Sequence, residues 1–248
     1  MELSDFFHAH PKVALAFSGG VDSAYLLYMA KQCGATVCAY YVKSDFQPQF
    51  ELNDAKKLAE NLHAEMKIIP ADVLAIPAIA DNPADRCYHC KKVIFNTIAA
   101  HASADGYQTL IDGTNASDDA GDRPGMRALR ELCVRSPLRE CGLDKDEIRR
   151  RSKDAALFTW NKPAYACLAT RIPTGDVITK EKLAQTEQAE DALLSLGFSD
   201  FRVRMLGKCA QIQLPAAQFA QLLTQKDAVT GALKKYYSTI LLDLEARK

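Results

Sequence analysis

Ser18-Gly19-Gly20-Val21-Asp22-Ser23 puts two glycines, two hydroxyls and a carboxylate into one short run. Glycines let a main chain come close to an anion. Ser18 and Ser23 add hydroxyl donors, and a helix opening at this point would aim free amides and the positive end of its dipole the same way. This is chemistry for a pyrophosphate group, with ATP as the expected guest. The run has neither the Gly-Lys-Ser/Thr ending of the Walker loop nor the third glycine of a dinucleotide fingerprint. A second run, Asp112-Gly113-Thr114-Asn115-Ala116-Ser117-Asp118, offers carboxylates that suit Mg2+, a hard cation that shares oxygen ligands with phosphate. The same residues would also make an ordinary Asx-rich turn. Asp22 and Ser23 are expected to organise the phosphates and the metal, with Ser18, Gly19, Gly20, Asp112, Gly113 and Asn115 around the nucleotide.

Thiols form the other group with chemistry. Cys87-Tyr88-His89-Cys90 has chelating spacing and runs straight into Lys91 and Lys92, and Cys167 stands in Pro163-Ala164-Tyr165-Ala166-Cys167-Leu168-Ala169-Thr170-Arg171-Ile172-Pro173. Three thiolates could hold an iron–sulfur cubane with one iron left open. Zinc would need a fourth protein ligand from His89, Cys133 or Cys141, and a lone reactive thiol at Cys167 is the third option. Cys33, Cys38, Cys133, Cys141 and Cys209 otherwise read as small buried hydrophobes.

Alternating elements must position these groups. Strand-like runs at Val13–Phe17, Thr36–Val42, Met66–Ile69 and Thr109–Asp112 are separated by helical patterns from Asp22 to Cys33, from Phe50 to Leu62 and after Cys90. That order is βαβ. It predicts an α/β fold with a parallel sheet covered by helices, and ligands at the carboxyl ends of its strands. From about residue 176 a helix Thr179–Leu196, strands Phe201–Leu206 and Ala210–Leu214, a helical stretch to Tyr237 and a strand Thr239–Leu244 make a small α+β unit. The expected division is a nucleotide-binding domain over 1–165, a connecting loop over 166–175, and a substrate-binding and oligomerisation domain over 176–248. Arg202 and Arg204 alternate along a strand and so share a face, where they would grip a phosphate or carboxylates.

The 248 residues are 48% hydrophobic and 25% charged, which are globular values. Lys plus Arg and Asp plus Glu each total 31, so nothing pulls the chain toward nucleic acid. Arg149-Arg150-Arg151 reads as a solvated helix face. No run is long and apolar enough for a membrane span and the start lacks a signal peptide's features, so a cytoplasmic protein with reduced thiols is expected.

The loop at residues 18–23 resembles the PP-loop of ATP pyrophosphatases, which adenylate an oxygen and release pyrophosphate. Together with Arg86-Cys87-Tyr88-His89-Cys90-Lys91, Asp112-Gly113-Thr114-Asn115 and Cys167-Leu168-Ala169-Thr170-Arg171-Ile172-Pro173, it is similar over nearly the whole chain to the LarE family of ATP-dependent sulfur transferases. The resemblance implies adenylation of a carboxylate of pyridinium-3,5-dicarboxylic acid mononucleotide, then replacement of oxygen by sulfur, during biosynthesis of the nickel-pincer nucleotide cofactor. In that family the cysteine matching Cys167 can give up its own sulfur and become dehydroalanine, while other members use a 4Fe-4S cluster on three cysteines. Cys87, Cys90 and Cys167 place this chain with the cluster type, which needs a separate sulfur donor. The resemblance also implies a substrate pocket with Arg171, Glu190, Arg202 and Arg204, and a homo-oligomer of hexamer size. Two other readings share the phosphate loop: tRNA thiolation, and an amidating synthetase of the NAD-synthetase or GMP-synthetase kind that would leave the three cysteines idle.

Overall fold

A computed structural model of the chain describes residues 2–118 and 124–247. The elements run α1 (Leu3–Ala9), β1 (Lys12–Ala16), α2 (Val21–Gln32), β2 (Thr36–Lys43), α3 (Gln49–Asn61), β3 (Glu65–Pro70), α4 (Pro77–Ala80), α5 (Arg86–Ala104), β4 (Thr109–Asp112), α6 (Pro124–Glu131), α7 (Pro137–Glu140) and α8 (Lys145–Asp154). Then follow α9 (Lys180–Ser195), β5 (Arg202–Leu206), β6 (Cys209–Gln213), α10 (Phe219–Thr224), α11 (Lys226–Leu233) and β7 (Thr239–Leu242).

Two compact units result: residues 1–73 with 85–162, and residues 74–84 with 163–248. The first holds a parallel sheet in the order β3-β2-β1-β4. Val13, Ala14 and Leu15 of β1 and Cys38, Ala39 and Tyr40 of β2 are fully buried, because a parallel sheet covered on both faces needs continuous apolar strands rather than alternating ones. The chain leaves β1 toward β2 on one side and later returns to β4 on the other. The carboxyl ends of β1 and β4 therefore flank the point where strand order reverses, the place where such sheets bind ligands.

The second unit packs α9 on a three-stranded sheet, and α11 on α9; β5 and β6 are antiparallel and β6 and β7 parallel. Val203, Met205, Ala210 and Ile212 join Leu193, Phe198 and Leu233 in its core. Arg202 and Arg204 take the alternate positions of β5 and so the other face. Residues 74–84, counted with the first domain by sequence, belong to this unit. The main chain explains it: Gly175 N donates to Asn82 O at 2.9 Å and Ile178 N to Ala80 O at 2.7 Å, while Asn82 Nδ2 donates to Pro173 O at 2.7 Å.

A second difference concerns Cys87 and Cys90. Sequence reading puts both in a loop before a helix, but α5 starts at Arg86 and carries both in its first two turns. Pro83 prompted the loop reading, and it lies just before the helix, where a missing amide costs nothing. Among the other cysteines Cys38 is buried as expected, whereas Cys133 is exposed. Of the three consecutive arginines Arg150 is solvated, but Arg149 donates to Trp160 O at 2.7 Å and Lys162 O at 2.8 Å.

Candidate functional site

The glycine loop follows β1 directly. Phe17 N still pairs with Tyr40 O at 2.9 Å, and the chain then turns through Gly19 at φ +71. A Cβ on Gly19 would lie 2.9 Å from Ala55 Cβ of α3, so both conformation and space demand glycine. Both serines close the loop on itself. Ser18 N donates to Ser23 Oγ at 3.3 Å, the two hydroxyl oxygens stand 3.1 Å apart, and Ser23 Oγ donates to Gly20 O at 3.2 Å. The first helical hydrogen bond runs from Ala24 N to Gly20 O. The amides of Val21, Asp22 and Ser23 therefore form the open, positive end of α2.

β4 ends against this helix start. A Cβ on Gly113 would fall 3.0 Å from Ser23 N, so its missing side chain is what lets the strand come so close. Asp112 is buried and saturated by neutral donors: Thr114 Oγ1 donates to Oδ2 at 2.5 Å, and Ser136 Oγ to Oδ1 at 2.6 Å. Asn115 Nδ2 donates to Asp22 Oδ1 at 3.4 Å, and Lys145 Nζ forms an ion pair with Asp22 Oδ2. Ser18, Asp22, Ser23, Asp112 and Gly113 line one cavity of about 250 Å³ with Lys91. That is less than the roughly 300–1,000 Å³ that encloses a drug-sized ligand, and suits the phosphate-bearing part of a nucleotide. All the residues expected around ATP except Asn115 and the two loop glycines line this cavity, and Asn115 reaches it through Asp22. Free amides, a glycine cradle and oxygen-bearing side chains fit a polyphosphate with Mg2+.

Nothing in the sequence singles out Lys145, and Lys91 stands out there only as the neighbour of the thiol pair, not as a cavity residue. Lys145 follows an aspartate that accepts from Glu147 N at 2.8 Å and so caps α8, and Asp144-Lys145-Asp146-Glu147 resembles any charged helix start. Lys91 follows Cys90 on α5, so one turn of helix bears a cavity-lining cation and a thiol pair.

Cys87 and Cys90 are one turn apart and share a face of α5. Cys87 is exposed and Cys90 half-buried. Buried Arg86 donates through Nη2 to Cys87 Sγ at 3.5 Å, leaving its Nη1 without a partner among the described residues. His89, a candidate zinc ligand, faces Asp85 at 3.2 Å. Among the described residues no group of three or more His, Cys, Asp or Glu side chains is gathered to hold a metal ion. As donors, the two accessible thiols suit iron or zinc.

In the second unit Cys167 leads into a 3₁₀ turn, Leu168–Arg171, whose Thr170 N and Oγ1 both donate to Cys167 O. Glu190, which alone would read as an exposed helix residue, is 3% exposed. It pairs in bidentate fashion with Arg171 Nε at 2.7 Å and Nη2 at 3.1 Å, and accepts from Val203 N at 2.9 Å and from the Tyr165 hydroxyl. Burial disfavours the Arg171 charge, but Glu190 outweighs it and holds the guanidinium above its ordinary range. Arg202 is likewise buried rather than solvent-facing. Its guanidinium stacks 5.0 Å from the Tyr165 ring, whose centre is 4.6 Å from Arg171.

Each of the three arginines also holds a carbonyl of the cysteine-bearing segment: Arg202 that of Ala164, Arg171 that of Ala166 at 3.0 Å, and Arg204 that of Thr170 at 2.6 Å. Burial, then the like charges of Arg171 and Arg247, pull Arg202 down to about 10 and lower Arg204 as well. Glu190, Asp200 and Asp243 stand among Arg171, Arg202, Arg204 and Arg247, so positive charge still exceeds negative here, which favours an anion.

Residues 12–83 match the family model described as queuosine biosynthesis protein QueC. The chain is 33% identical over 236 residues to the pyridinium-3,5-bisthiocarboxylic acid mononucleotide synthase of Lactiplantibacillus plantarum, covering 94% of this chain and 86% of that one. An uncharacterized protein of Synechocystis sp. is 35% identical over 249 residues, covering 98% of this chain and 92% of its own. A tRNA-specific 2-thiouridylase of Clostridium botulinum is 26% identical over 182 residues, 60% of this chain and 52% of that one.

Proposed function

The chain belongs to the LarE family of sulfur transferases, and we propose that it adenylates a carboxylate of pyridinium-3,5-dicarboxylic acid mononucleotide and replaces its oxygen with sulfur. The observation that carries this reading is the cavity between the start of α2 and the end of β4, lined by Ser18, Asp22, Ser23, Lys91, Asp112 and Gly113. A carboxylate is a poor electrophile, so its oxygen must first become part of a leaving group. In this reading the carboxylate oxygen attacks the α-phosphorus of ATP and pyrophosphate departs. The loop amides and Lys91 offset the charge that develops on it. Asp22 or Asp112 would hold Mg2+, which would supply further counter-charge. A sulfur nucleophile then attacks the acyl carbon and AMP leaves. Arg202 and Arg204, in a substrate pocket shared with Arg171 and Glu190, would grip the substrate's phosphate or remaining carboxylate.

For the sulfur we propose a 4Fe-4S cluster held by Cys87, Cys90 and Cys167. When bound, such a cluster supplies an open iron for sulfide that is renewed by a separate donor. The exposed thiol pair on α5 and Cys167 supply the three thiolates such a cluster needs, whereas zinc would need a fourth protein ligand. Sulfur donation by Cys167 itself is the second reading, because the arginine contacts on residues 164–170 single out that segment. A tRNA substrate is disfavoured by the balance of 31 basic and 31 acidic residues, and an amidating synthetase would give no role to the three thiols. Nothing in the described residues is a helix long and apolar enough to cross a membrane, and the reading takes the protein as cytoplasmic, acting as a homo-oligomer. The test is product analysis with ATP, Mg2+ and the dicarboxylate nucleotide: AMP and pyrophosphate should form only when the nucleotide substrate is present, and ADP with phosphate would contradict the reading.

A further inference from the structure

Lys145 is in an unfavourable place for a cation. It opens α8, where the helix dipole is positive, and only 31% of its side chain is exposed. Its main-chain amide is fixed by Ser117 Oγ at 3.0 Å, and its ammonium group reaches Asp22 across 123 residues of sequence. Asp22 receives Asn115 Nδ2 on its other oxygen. Three elements thus converge on one carboxylate, which lines the cavity where a polyphosphate is expected. Even if Asp22 shares Mg2+ with the phosphates, a carboxylate left without its lysine would still repel the phosphate oxygens that the metal does not cover, and at short range in a partly buried site such repulsion is worth more than a hydrogen bond.

We propose that Lys145 is a positioning residue that acts through Asp22: it neutralises and fixes this carboxylate so that the loop of residues 18–23 accepts a nucleoside triphosphate. The proposal rests on the reading of the cavity as a nucleotide site. It assigns Lys145 no direct phosphate contact. Its worth to binding should therefore vanish once Asp22 carries no charge, whereas a lysine that touches phosphate would keep its worth.

A double-mutant cycle distinguishes the two. The probe is adenosine 5′-(α,β-methylene)triphosphate with Mg2+, which blocks adenylation, titrated calorimetrically into the full-length protein. Lys145→Ala should weaken binding by about tenfold or more, while Lys145→Arg restores most of it. In the Asp22→Asn background, Lys145→Ala should change affinity by less than about twofold. Equal losses in both backgrounds, or no loss in the first, would overturn the proposal. Wild-type protein that fails to bind the probe would instead sink the nucleotide-site reading. Lys145→Gln repeats the cycle with the side-chain stem kept if the alanine variant is unfolded, as its thermal melt would reveal.

Discussion

Asp22 and Ser23 occupy the first turn of α2, one facing Lys145 and Asn115, the other closing the loop through Gly20. Replacing either with alanine should leave the fold intact and lower AMP formation by at least about a hundredfold, the scale of losing an organised charge-stabilising group. Steady-state release of AMP and pyrophosphate measures it, and unchanged ATP consumption in both variants would remove the loop from the chemistry. Arg204 should behave differently. Arg204→Ala is expected to raise the KM for the nucleotide substrate about tenfold or more with the KM for ATP within about twofold, since a charged hydrogen-bond partner is lost only from the second unit. The phosphate loop was legible in the sequence because all its parts are adjacent. The partners of Asp22 and Glu190 were not, because ion pairs between distant segments leave no spacing to read and a buried glutamate looks like any other on a helix.

Elements explain where the residues meet. Gly113 sits where β4 touches the start of α2, and Gly113→Ala would press a methyl group against Ser23 N. It should therefore weaken ATP binding about tenfold or more while shifting the thermal midpoint by only a few degrees, the scale of a local strain of about 1 kcal/mol. Calorimetric titration beside a thermal melt separates the two effects. The pair between Glu190 of α9 and Arg171 of the 3₁₀ turn is a support rather than a surface contact. Glu190→Ala leaves a guanidinium buried without its carboxylate and should cost about 3–5 kcal/mol of stability by denaturant titration. A loss under 1 kcal/mol would show that the pair holds little together. At this scale the sequence was informative: apolar runs and βαβ order anticipate all four parallel strands, and the hairpin of β5 and β6 follows from its alternating pattern. The start of α5 was hidden by Pro83, and the allegiance of residues 74–84 by main-chain hydrogen bonds that no side-chain pattern encodes.

The whole chain combines a unit that fits ATP with a unit rich in buried arginine, and both carry thiols at accessible or half-accessible positions. If Cys87, Cys90 and Cys167 hold one cluster, alanine at any one of them should abolish both the anaerobic iron–sulfur absorption and repeated turnover. Activity that survives in Cys87→Ala, with dehydroalanine at Cys167 after one turnover, would replace the cluster by a sacrificial thiol. Either outcome leaves the larger claim standing, that ATP is consumed to exchange a carboxylate oxygen for sulfur. The most direct measurement of that claim is mass spectrometry of the nucleotide product alongside AMP, after anaerobic incubation of the purified protein with ATP, Mg2+, pyridinium-3,5-dicarboxylic acid mononucleotide and a sulfide source. The expected product is heavier by the difference between sulfur and oxygen, with one AMP formed for each sulfur gained. An unaltered dicarboxylate, or sulfur gained without AMP, would contradict it.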